Sequence, residues 1–158
     1  MPIDVSRVLG TPQLAAARVT PRGRYWRQIS RGNFNPLAAL VGPLAARIML
    51  GPKPELGGAQ TPEFGIAVLA VTSSELVLVG RTARTPTGII ARAPLGEVET
   101  FDLRHARMVW PITITFRTGD TWRLEAPMFF RKAATTVTAV VTRQLQQDQR
   151  TSRPATST

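Results

Sequence analysis

The sequence predicts a mainly β domain, an antiparallel sheet curved toward a partly open barrel and capped by one C-terminal amphipathic helix. An N-terminal apolar helical segment is expected in addition. Three observations carry this. Two short apolar runs, Ile66–Val71 and Leu76–Val79, flank the turn Thr72-Ser-Ser-Glu75. Strict alternation follows at Trp110, Ile112, Ile114 and Phe116, and again at Trp122, Leu124 and Ala126. The period then switches from two residues to 3.6, because Phe130, Ala134, Val137, Val141 and Leu145 make one stripe.

Each element has its own signal. Leu14–Val19 and Tyr25–Ile29 are the candidates for the first strands. β-branched residues in the run from Ile66 to Val79 favour a hairpin around the Thr72 turn. Gly88–Ala93 gives a third strand after the polar loop Arg81–Gly88, and Val98–Leu103 a fourth. The alternating arms on either side of Arg117-Thr-Gly-Asp120 are the clearest hairpin. Alternation means one buried and one wet face, and Gly119 supplies the positive φ that a tight turn needs. Trp110, Ile112, Ile114, Phe116, Trp122, Leu124, Phe130, Val137, Val141 and Leu145 are the expected core.

The longest apolar stretch is Pro36–Gly51, shorter than the ~20 residues a membrane span requires. Leu37, Val41, Leu44 and Ile48 fall on one helical face, which Gly42-Pro43 kinks or splits. The expected organisation is a flexible N-terminus over 1–12 and a single domain over 13–146. That domain carries the apolar helical insertion at 36–51 and a Pro/Gly-rich loop at 52–63. A disordered tail covers 147–158. The first fifteen residues contain Asp4, Arg7 and Pro12 and no apolar run, so no secretory signal is expected.

Charge is the largest compositional departure. The 158 residues hold twenty basic and ten acidic side chains, a net charge of +10, and eighteen of the twenty are arginine. A genome rich in G and C, which favours arginine codons, would explain the excess as well as selection for an anionic partner would. The distribution says more than the total. Residues 1–54 carry eight basic residues against Asp4 alone, with Arg18, Arg22, Arg24, Arg27 and Arg31 uninterrupted by an acid. Tyr25, Trp26 and Phe34 are interleaved with them. Flat aromatics beside arginines suit the headgroups of an anionic membrane or the bases and phosphates of a single strand. They equally suit an early strand with a basic wet face. Arg81 and Arg84 on the later polar loop form a second basic site.

Catalytic chemistry finds little footing. Cysteine is absent, which excludes disulfides, thiol nucleophiles and cysteine-bound metals. His105 is the one histidine and lies between Arg104 and Arg107. No serine sits in a GxSxG elbow, and neither a P-loop nor a GxGxxG occurs. Glu97, Glu99 and Asp102 cluster beside Arg104 and Arg107, which reads as a solvated, salt-bridged face. No enzyme activity, metal site or cofactor is expected.

Four stretches resemble the bacterial pleckstrin-homology-like (PH-like) domains. Ile66–Thr72 followed by Glu75–Val79 is similar to their opening of apolar strand, Thr turn and apolar strand. Ala93-Pro-Leu-Gly-Glu-Val98 looks like the entry to their next strand. Ile114–Leu124 looks like their late hairpin, and Phe130–Leu145 like their C-terminal helix. The resemblance covers about 64–146. It implies a non-catalytic binding or adaptor module, cytoplasmic and peripheral to the inner leaflet, whose ligand is an anionic lipid surface or a protein. The anion or membrane candidates are Arg18, Arg22, Arg24, Tyr25, Trp26, Arg27, Arg31, Arg81 and Arg84. Self-association through 36–51 and nucleic-acid binding stay open as alternatives.

Overall fold

The computed structural model describes residues 3–23, 65–82, 85–106 and 108–151. A four-residue helix α1 (Ser6–Leu9) precedes strands β1 (Ala15–Pro21), β2 (Ile66–Val71), β3 (Glu75–Arg81) and β4 (Pro86–Pro94). A 3-10 turn, Leu95–Glu97, leads to β5 (Val98–Leu103), β6 (Val109–Phe116) and β7 (Thr121–Pro127). A second 3-10 turn, Met128–Phe130, opens the long helix α2 (Arg131–Thr151). The expected Tyr25–Ile29 strand, the 36–51 insertion and the 52–63 loop lie outside the described residues.

The strands form one antiparallel seven-stranded sheet in the order β4-β3-β2-β1-β7-β6-β5. Consecutive strands pair within β1–β4 and within β5–β7, and β1 joins the two groups. Its residues Ala15–Val19 pair with β2, whereas Thr20 and Pro21 pair with Glu125 and Leu124 of β7. The sheet is not closed, since β4 and β5 are its two edges.

Local chemistry sets the turns. Thr72 Oγ1 accepts the backbone N–H of Glu75 at 3.0 Å and Thr72 N–H donates to the Glu75 carbonyl at 2.9 Å. That side-chain turn fixes the β2–β3 register from Val71↔Leu76 to Ile66↔Arg81. Gly119 adopts φ +89 in the β6–β7 turn, as its place in the sequence requires. At the start of β4 the register shifts twice, and Gly80 makes room for it: a Cβ there would meet Thr87 Oγ1 at 2.5 Å.

Two cores result. The main one lines the face of the sheet that α2 covers, with Ala17, Val19, Leu69, Leu78, Ile112, Ile114, Leu124 and Trp122. Ala134, Val137 and Val141 of α2 close it, each with no exposed surface. Burial of each large aliphatic chain contributes ~1.5–3 kcal/mol. Phe116 and Trp122 meet edge to face, ring centroids 4.9 Å apart. The second core lies on the opposite face of β2 and β3, where Val68, Ala70, Val77 and Val79 pack with Val5 and Leu9.

Three expectations are corrected. The start of the chain does not read as a flexible 1–12: Val5 is 1% exposed, because α1 covers apolar side chains that β2 and β3 present outward. α2 continues to Thr151, so residues 147–151 of the expected tail are helical. The rest of that tail, 152–158, lies outside the described residues. Phe130 is only half buried and stands apart from the main core, since the stripe that packs inward begins at Ala134. Trp110 and Leu145, also expected inside, are partly buried at its margin.

Candidate anion-binding surface

Alternation along β1 decides where its arginine goes. Ala17 and Val19 join the main core, so Arg18 between them leaves by the other face. There its guanidinium carbon lies 5.5 Å from the centroid of the Phe130 ring, a cation–π contact. Phe130 thus serves as a shelf for Arg18.

Arg22 follows the end of β1, where its N–H donates to the Arg123 carbonyl at 3.0 Å and continues the pairing with β7. Its Nε is buried and has no hydrogen-bond partner. One residue on, the Gly23 N–H donates to Glu125 Oε2 at 3.0 Å, and Thr20 Oγ1 donates to Oε1 at 3.4 Å. Glu125 is 4% exposed. A carboxylate this far from water must be met by donors, and these donors belong to the chain leaving β1. Glu125 therefore pins the point from which the arginine-rich sequence departs.

Arg81 ends β3. Its backbone lies level with Ile66, and the β1–β2 pairing Val19↔Ala67 brings Thr20 level with the same row. Two strand spacings separate Arg81 from β1, roughly 10 Å. Arg22 and Arg81 thus share one end of the first four strands, while Arg18 sits in the middle of β1, level with Val68 and Val79. Arg24, Tyr25, Trp26, Arg27, Arg31 and Arg84 lie outside the described residues.

The carboxylates are dispersed by comparison. Glu97 belongs to the 3-10 turn and not to a strand shared with Glu99. Both are exposed, and Asp102 accepts from Arg104 Nε at 2.9 Å on the surface. His105 is exposed and stacks on Trp110, ring centroids 4.2 Å apart. Among the described residues, no three His, Asp or Glu side chains gather as metal ligands.

Two features escaped the sequence reading. Glu125 falls on the wet phase of the β7 alternation, yet it is buried and accepts hydrogen bonds from residues 102 and 105 positions away in sequence. Phe129 is 86% exposed beside Met128 and Met108, at 36% and 42%. The Phe129-Phe130 pair signalled it weakly, since only one of two adjacent residues can join a helical stripe.

Comparison with protein-family models finds no match, and no curated protein matches the sequence.

Proposed function

We propose that the protein is a non-catalytic binding module of PH-like architecture that contacts an anionic membrane surface from the cytoplasmic side. Seven antiparallel strands, two consecutive groups joined through β1 and β7, and a C-terminal helix across the core support the PH-like reading. No helix among the described residues is long and apolar enough to cross a membrane. Contact is therefore proposed at the surface.

One observation carries the proposal. Arg92–Glu75 and Arg104–Asp102 are ion pairs, both exposed. Arg18, Arg22, Arg81, Arg131 and Lys132 belong to neither. Cations that the fold does not neutralise are free to meet an external anion, at ~1 kcal/mol for each one near an anionic leaflet. Bilayer is favoured over nucleic acid because apolar side chains are exposed among these cations.

The test is co-sedimentation of the full chain with phosphatidylcholine vesicles, with and without phosphatidylserine, beside an oligonucleotide titration. Binding should rise with phosphatidylserine and weaken with salt, whose screening length is ~8 Å at physiological strength. The triple variant Arg22→Ala/Arg24→Ala/Arg27→Ala should bind on the order of a hundredfold less. No vesicle binding at low salt would end the proposal. Oligonucleotide binding that falls log-linearly with salt would replace it with nucleic-acid recognition.

A further inference from the structure

The end of β5, the start of β6, the end of β7 and the middle of β1 meet at one corner of the sheet. The Met128 N–H donates to the Met108 carbonyl at 3.0 Å, which ties the β5–β6 connection to the β7–α2 junction. Met108, Met128 and Phe129 are all exposed there. Phe116, the same residue type, is 3% exposed in the core, so leaving Phe129 in water forgoes the burial the fold gives elsewhere.

The rim of this corner is cationic. Arg131 and Lys132 are exposed in the first turn of α2, and Arg18 lies over Phe130. The two nearby acids are occupied, Asp102 by Arg104 and Glu125 by its buried donors. Arg131 and Lys132 are also electrostatically misplaced for the helix. The first turn of α2 holds no acid, and its N–H groups already present positive partial charge. They cost the helix a little, which points to a use outside the fold.

We infer that this corner, Met108, Met128 and Phe129 rimmed by Arg131, Lys132 and Arg18, enters the interfacial layer of an anionic bilayer. The inference rests on the membrane reading above and adds the apolar anchor and its position. A ring seated among acyl chains and headgroups resists salt, while the cationic rim supplies attraction that salt removes. Binding by the corner therefore has a salt-sensitive part and a salt-resistant part. Phe129 carries the second.

The experiment uses the full chain and the same phosphatidylcholine and phosphatidylserine vesicles, at low and high salt. Phe129→Ser should lose roughly tenfold in partitioning, with the high-salt remainder lost most completely, and Phe129→Leu should restore most of it. Because Phe129 is exposed, both variants should melt with the wild type. Arg131→Glu/Lys132→Glu should bind vesicles less at low salt yet melt at a slightly higher temperature, an outcome a structural role does not give. Should wild type bind and Phe129→Ser bind equally at every salt concentration, the corner is not the anchor, although the membrane reading survives. Should wild type bind no vesicle, both fall. A wild-type dimer that Phe129→Ser converts to monomer, with vesicle binding unchanged, would make the corner a contact between copies and overturn the inference.

Discussion

The two halves of the sheet obey different burial rules. In β2 and β3, successive residues are buried on both faces: Ala67 to Val71 and Leu76 to Val79 are all 1% exposed or less. In β6 only every second residue is fully buried, Ile112, Ile114 and Phe116, with Thr113 and Thr115 half exposed between them. The sequence differs in the same way, a continuous apolar run in one half and strict alternation in the other. A continuous run demands a cover on each side of the sheet. In the first half α2 closes one face and α1 packs on the other, whereas the outward residues of β5 and β6, such as Glu99, Thr113 and Thr115, reach water. Strand pattern thus reports how many layers stand against a strand, and not only that it is a strand.

The largest test of this contrast places one charge on the outer face of each half. Val79→Asp should destabilise by about 3 kcal/mol or more, because the carboxylate would enter the second core without a donor. Thr115→Asp, outward on β6 between Thr100 and Thr121, should cost about 1 kcal/mol or less, the range of strand propensity. Equal losses in urea denaturation would erase the distinction between the halves. Next in size is the cover itself. Leu9→Ala should cost about 2 kcal/mol, at the low end for buried leucine because the site lies at the molecule's edge. A loss near zero would mean that α1 rests on β2 and β3 without stabilising them.

Most of the sheet was legible because its signals are local. Val98–Leu103 coincides with β5, and the hairpin arms, the Thr72 turn and Gly119 are found where periodicity and turn chemistry put them. The misses are long-range. α1 spans one turn and carries no side-chain cap, so it looked like a loose end. Yet Val5, Val8 and Leu9 stand at i, i+3 and i+4, the spacing of a docked face, and the double-sided β2–β3 run called for such a cover. Glu125 could not be placed inside by pattern, because alternation assigns it outward and the donors Thr20 and Gly23 are more than 100 residues away in sequence. Of the basic site, Arg18, Arg22 and Arg81 can be positioned. The surprise was that Arg18 and Phe130 belong to one contact, with Phe129 outside it.

The smallest effect concerns how α1 is held. Asp4 Oδ1 accepts the Ser6 N–H at 2.9 Å, and this bond lowers the Asp4 carboxyl below its ordinary 3.8, helped by the Ser6 side chain and the Arg7 charge. A carboxyl lowered on folding stabilises the folded form when ionised. Its contribution is complete above the unfolded value and fades as pH falls through the folded one. The helix should therefore lose this support only below about pH 4, a window set by the ordinary aspartate value. Asp4 is fully exposed, so the change should be confined to α1 and leave the global melt unmoved. NMR titration is the measure. The Ser6 amide should follow a midpoint lower in the full chain than in a peptide spanning residues 1–12, and Asp4→Asn should flatten that response. Equal midpoints in chain and peptide would show that the Asp4–Ser6 turn forms without the sheet, and that α1 docks through Val5 and Leu9 alone.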